Sequence, residues 1–260
     1  MIAIAERING MFSDVKRAIK KKDPSVIRDL AIQQTEAGAK FLDVNVGTAA
    51  ADQRDAMRWL ISVIQEAVKT PICIDSQKLD VVKAGLEVVK SEILINSCKA
   101  DPEELDVYLP LAKKYNASLI CLTINRQGVP QDVNARVEIA AAIAAKAMEH
   151  DFDMSKIFID PILLPINVDQ KQPCYLFDVF NQVKYISDPP PHIVVGLSNF
   201  SQGTKERSLL NRTFLTMAIA EGLDAAVMDV LDKELMDAAI CAEVILNKHI
   251  YSDSFLKAVR

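Results

Sequence analysis

The feature that most constrains this chain is an alternation. Short β-type runs and longer helical runs follow one another from end to end. Residues 2–8, 41–46, 71–76, 92–97, 118–124, 156–160, 192–198 and 225–229 are apolar and rich in β-branched side chains, the composition of strands buried on both faces. Between them a helical period runs over residues 24–37, 53–68, 79–89, 102–115, 133–149, 175–186, 211–220 and 233–247. Asp23-Pro24, Asp101-Pro102 and Asp132 have the chemistry of helix N-caps, and Gly38 that of a helix stop. Strict alternation predicts right-handed βαβ units and a parallel sheet. Eight such units in 260 residues close into a (β/α)8 barrel, the TIM-barrel form of the α/β class. The rival, a doubly wound open sheet, calls for a glycine-rich fingerprint after the first strand, and Glu6-Arg-Ile-Asn-Gly10 offers one glycine. No Pro/Ser-rich linker, charge block or low-complexity stretch divides the chain, so residues 1–260 read as a single domain.

Composition excludes several classes of partner. A formal charge of −5 and a pI near 5.3 argue against nucleic acid, which needs a basic face. No apolar run approaches the roughly 20 residues of a membrane span. The opening Met-Ile-Ala-Ile-Ala-Glu6-Arg7 lacks the order of a signal peptide, and the expectation is a cytoplasmic protein. The five cysteines are scattered without any Cys-x-x-Cys, and three lie inside apolar runs. They read as small buried hydrophobes in a reducing compartment. His150, His192 and His249 are far apart and none neighbours a cysteine, so no zinc-ligand spacing and no metal is expected.

Function is written at the strand ends. The first strand carries Glu6 and Arg7 and ends in Asn9; the second carries Asp43 and Asn45; the third ends in Asp75-Ser76 and the fourth in Asn96-Ser97. The later ones run into Asn125, Asp160, Ser198-Asn199 and Asp229. In a barrel these ends converge on one mouth, where the active site lies. Any one Asp or Asn is explained as well by capping a βα loop, and Asp43 and Asn45 by pairing with a neighbouring strand. Loop capping alone would use Ser and Thr about as often, yet Asn and Asp dominate. Carboxylates and amides facing inward can pair bidentately with a neutral heteroaromatic ring presenting N–H, NH2 and C=O along one edge, as a pterin does. Phosphorylated sugars would call for Gly, Lys and Arg at the last two strand ends, and Gly196 and Gly203 alone do not make that case.

At this point the motifs converge on a known family. Glu6-Arg-Ile-Asn-Gly-Met-Phe12, Leu42-Asp-Val-Asn-Val-Gly47, Ile74-Asp-Ser76, Ile95-Asn-Ser97, Ile159-Asp-Pro161 with Leu164-Pro165, Gly196-Leu-Ser-Asn199 and Asn211-Arg-Thr-Phe214 span nearly the whole chain. Together they closely resemble the methyltetrahydrofolate–corrinoid methyltransferases, pterin-binding barrels of anaerobic one-carbon metabolism. The resemblance implies that Asp75, Asn96 and Asp160 hold the amide edge of the pterin. It implies that Asn199, with Gln202 and Arg207, reaches the N5-methyl end. Glu6, Asp43, Asn45, Gly196 and Ser198 complete the expected substrate-binding set. The implied substrates are tetrahydrofolate or 5-methyltetrahydrofolate and a corrinoid (cobalamin). The chain has no Asp-x-His-x-x-Gly corrinoid motif, so the corrinoid is expected on a separate protein, and the family implies a homodimer.

The groups also define a mechanism. A methyl on a tertiary amine has a poor leaving group, so transfer needs N5 protonated or strongly hydrogen-bonded as the bond breaks. The Asn199 amide is no acid near neutral pH, but its carbonyl can stabilise a developing N5–H. The nucleophile is then cobalt(I), which accounts for the missing catalytic Cys or Ser. The alternatives are a non-catalytic folate-binding subunit and an enzyme like dihydropteroate synthase. The latter needs an Asn-x-Thr-Pro-Asp-Ser-Phe-Ser-Asp loop after the first strand, which residues 7–13 do not resemble.

Overall fold

The computed structural model describes residues 1–126 and 128–259. Eight parallel strands form a closed barrel in sequence order: β1 (Ile2–Asn9), β2 (Phe41–Asn45), β3 (Ile72–Asp75), β4 (Ile93–Lys99), β5 (Ser118–Leu122), β6 (Ile157–Asp160), β7 (His192–Gly196) and β8 (Ala225–Met228), with β8 pairing back onto β1. The helices are α1 (Ser13–Lys21), α2 (Pro24–Glu36), α3 (Gln53–Ala67), α4 (Leu79–Leu86), α5 (Pro102–Lys114), α6 (Val133–Glu149), α7 (Gln172–Val183), α8 (Leu197–Phe200), α9 (Arg207–Ala220), α10 (Lys233–Ile245) and α11 (Asp253–Val259). The chain is a (β/α)8 barrel, as the alternation requires.

Three of these helices lie outside the expected eight. Helix α1 buries only Val15, Ala18 and Ile19, a stripe too short to register as a period, and it ends at Lys22 in a left-handed conformation before Pro24. Residues 197–198, expected to extend the seventh strand, turn instead into the single turn α8. Helix α11 follows the last barrel helix. Helix α9 begins at Arg207 rather than residue 211; its first turn leaves Arg207, Ser208 and Leu209 exposed and only Leu210 packs against the core, so the helical period is weak there.

Local chemistry fits most boundaries. Asp23 and Asp132 accept cap hydrogen bonds from the amides of Ser25 and Ala135. Asp101 stands at the α5 N-cap position but makes no cap bond; its carboxylate pairs instead with Arg126 at 3.2 Å. Gly38 takes a φ of 93°, the left-handed conformation that ends α2 at low cost. No helix among the described residues is long and apolar enough to cross a membrane.

Two cores result from the strand alternation. Side chains pointing outward pack under the helices; on α3, Leu60, Ile61 and Ile64 are fully buried, each contributing about 1.5–3 kcal/mol. The inward set, Ile4, Phe41, Cys73, Leu94, Ile120, Phe158, Val194 and Ala225, plugs the barrel. Two residues further along β1, β2, β3, β4 and β6 the same inward face becomes Glu6, Asp43, Asp75, Asn96 and Asp160. The plug is apolar and the mouth is polar, within one period-2 pattern.

Candidate active site

The mouth is built from neighbouring strands at matched register. Asn45, Asp75 and Asn96 are aligned partners across β2, β3 and β4. Asn45 donates through Nδ2 to Asp75 Oδ2 at 2.5 Å, while its Oδ1 accepts the Gly47 amide at 2.6 Å. Both oxygen and nitrogen of Asn45 are thus committed, which fixes the Asp75 carboxylate at the rim. Asp43 lies one level lower and is 1% exposed. It accepts from Asn96 Nδ2 at 3.2 Å and bonds the Cys73 thiol and Asp75, facing these neighbours rather than the open mouth. Asp75, Asn96 and Asp160 are half-buried and reachable from solvent.

Burial sets the charge state of this group. Loss of water pushes Asp75 up to about 6, against the pull of hydrogen bonds from Asn45 and Asp43. Asp160 is pushed up to about 6 for the same reason, opposed by the Ile162 amide and by Arg136. Asp43 goes well above the usual carboxylate range, through burial and then the adjacent Asp75 charge. It is the member of the pair that carries the proton. Glu6 is also raised, by burial first, and accepts from Ser198 Oγ at 2.5 Å. A cleft of about 390 Å³ opens beside Asn45 and Asp75 and runs between the loops that follow β2 and β3 to Lys78.

On the opposite wall the turn after β7 presents Asn199 at the exposed rim. Its amide folds back over the strand end, and a Cβ on Gly196 would lie 2.9 Å from Asn199 Nδ2. Arg207 donates from Nη2 to the Ser198 carbonyl at 3.0 Å and from Nε to Ser201 Oγ at 3.1 Å, so it braces this turn. Gln202 is exposed and its amide bonds the Asn199 carbonyl. The expected site residues therefore gather at one mouth, Asp43 beneath it. Other strand-end polar groups close turns: Asn9 Oδ1 accepts the Met11 amide and Asp229 Oδ1 the Leu231 amide. Arg7 points away, pairing with Asp14 under the Phe12 ring.

Two buried polar side chains behind Asp160 were not legible from the strands. Arg136 and Gln172 occupy positions on the apolar stripes of α6 and α7, beside Ala140, Ile143 and Ala144 in one and Leu176, Val179 and Phe180 in the other. A charged or amide residue on such a stripe is the signal that finds them.

Residues 5–229 match the model of a family described as pterin binding enzyme. The chain belongs to the pterin-binding enzyme family. Within the relatives of this pterin-binding enzyme, the methylcorrinoid:tetrahydrofolate methyltransferase of Eubacterium limosum is 34% identical over 100% of this chain and 96% of its own length. The methionine synthase of Mycobacterium leprae is 30% identical over 88% of this chain, which spans 20% of that longer protein. Among solved structures, a dihydropteroate synthase from Coxiella burnetii in complex with pteroic acid superposes with a TM-score of 0.72, covering 95% of this chain and 94% of that one. At 13% identity that likeness speaks for the barrel alone.

Proposed function

We propose that this pterin-binding enzyme moves a methyl group between N5 of tetrahydrofolate and the cobalt of a corrinoid carried by a separate protein. The observation that carries the reading is the two-acid mouth, Asp75 and Asn96 side by side on β3 and β4 and Asp160 at the end of β6, in a chain 34% identical along its length to the E. limosum methyltransferase. The pterin's N–H and NH2 groups donate to the two carboxylates, and Asn96 meets the same edge. Asn199 lies beyond them toward the N5 end. When 5-methyltetrahydrofolate is the donor, the N5–CH3 bond breaks, the cobalt(I) electron pair forms the Co–C bond, and N5 takes a proton. Asn199 stabilises that N5–H through its carbonyl, more strongly as the bond breaks than before. A proton from solvent or from the hydrogen-bonded rim suffices. The reverse reaction uses the same contacts, and the relative's name supports methylcorrinoid as the physiological donor. The proposal includes a cytoplasmic homodimer, as the resemblance implies.

The test mixes the protein with 5-methyltetrahydrofolate and cobalt(I) cobalamin and follows methylcobalamin by absorbance, then runs methylcobalamin against tetrahydrofolate. Turnover is expected in both. Asn199→Ala is expected to bind folate normally and to lose about a hundredfold in kcat. Native turnover by that variant removes Asn199 from the mechanism. Folate bound without turnover on free or protein-held corrinoid points to a binding subunit.

A further inference from the structure

The loop that leaves β6 is gripped from behind by a buried arginine. Arg136 is 2% exposed, yet among the described residues no carboxylate is bonded to it; Asp160, Asp169 and Asp132 act on it only through space. Its donors go to main-chain carbonyls: Nε to Pro130 at 3.0 Å, and Nη1 to Ile162 at 2.9 Å and to Pro161. Gln172, 1% exposed, completes the grip by donating to the Ile162 carbonyl at 3.2 Å and accepting the Leu164 amide at 2.7 Å. The residue held from both helices is itself unusual. Ile162 is β-branched and has a φ of 64°, a conformation that persists only where its surroundings impose it. Its amide points at Asp160 Oδ1, 2.8 Å away. The same loop is tied to the Asn199 turn, since the Ile166 amide donates to the Phe200 carbonyl at 2.9 Å.

We propose that Arg136 is a positioning residue for the pterin edge: by holding the carbonyls of Pro161 and Ile162 it fixes the turn whose amide aims the Asp160 carboxylate into the mouth. Its charge adds a second effect. The carboxylates facing Arg136 are Asp160 on β6, Asp169 in the gripped loop and Asp132 at the start of α6. Of these, Asp160 stands at the mouth, at the C-terminal end of β6, and Arg136 is the charged group that opposes its burial. A buried guanidinium that spends its donors on carbonyls keeps its charge uncancelled nearby, which favours the carboxylate form of Asp160. Arg136 touches no ligand and acts through Asp160.

This inference rests on the pterin reading above, and the experiment separates the two. Binding of 5-methyltetrahydrofolate is measured by calorimetry from pH 5 to 8 for the wild type, Arg136→Lys, Arg136→Met and both changes in an Asp160→Asn background. Arg136→Lys keeps the charge but not the planar fork; its Kd rises about tenfold with an unmoved pH midpoint. Arg136→Met also loses the charge, and its midpoint rises by about one pH unit. With saturating folate, kcat stays close to wild type in both. In the Asp160→Asn background neither change weakens binding further. Should Arg136→Met fail to fold, the Lys variant and its Asp160→Asn partner carry the test. Unchanged Kd and midpoint in folded variants, or an equal loss with and without Asp160, overturn the inference while wild-type binding upholds the pterin reading. A wild type that binds no folate contradicts both.

Discussion

Two walls of one mouth bring a buried carboxyl to the same condition by different means. On the β2–β4 wall Asp75 is supported by side chains of adjacent strands, with Asn45 at its level and Asp43 and Asn96 beneath and beside it. On the β6 wall Asp160 is supported by backbone, its own loop bent round to offer the Ile162 amide and that loop fixed from the helices outside. Both acids are pushed to about 6 by burial. A half-buried acid at a barrel mouth needs partial compensation, and strand neighbours or the helical jacket can supply it.

The largest effect should come from deleting either acid. Asp75→Ala and Asp160→Ala each remove a charge-assisted contact, so folate Kd should rise roughly 10- to 150-fold, from about 1.5–3 kcal/mol per contact. Titration calorimetry compares the two, and a large loss on one wall alone would show that the two acids are not equivalent.

The folded pKa of Asp160 is raised from 3.8 to about 6, so its protonated form favours folding. That contribution is present below the unfolded value and is lost as pH rises through about 6. Asp160→Asn should therefore stabilise the ligand-free protein at pH 8 by on the order of 1–3 kcal/mol, with the gap closing near pH 4. Denaturant melts at the two values check it. Binding runs the other way, since the pterin edge needs the carboxylate. A mouth that stabilised the empty fold at neutral pH would be a structural feature, not a site.

Smaller effects mark the limits of the comparison. Gly196→Ala places a Cβ against the end of the Asn199 side chain, which is free to move. Folding and Kd should hold while kcat falls about tenfold, because the amide is displaced from the N5 end. Kinetics at saturating folate, beside a binding titration, check it. Outside the mouth, Arg58→Ala breaks an exposed, solvent-screened pair with Glu87 at 2.8 Å; a denaturant melt should superpose on that of the wild type, with folate binding unaltered.

The contrast between the walls also explains what could be read from the sequence. The side-chain wall is written in a few contiguous letters, since Leu42-Asp-Val-Asn45 puts two polar groups on one face of a strand and Ile74-Asp75 meets them at matched register. The strand–helix order therefore carried the barrel, and the polar strand ends pointed to that half of the candidate site. The depth of Asp43 was hidden, because alternation says which face a residue takes but not its level along the barrel axis. The backbone wall was hidden further, because Arg136 lies 24 residues before Asp160 and Gln172 12 after it, on helices whose packing the strand pattern does not describe. The turn α8 escaped for a local reason, as Leu197 continues the apolar run of β7 and only the geometry shows the strand ending at Gly196.

The most direct test of the account is the affinity of the wild-type protein for 5-methyltetrahydrofolate as pH is raised from 5 to 8, beside an Asp75→Ala/Asp160→Ala double variant. Binding is expected to tighten as pH passes through about 6 and to be lost in the double variant. Binding indifferent to pH and retained by the double variant would contradict it.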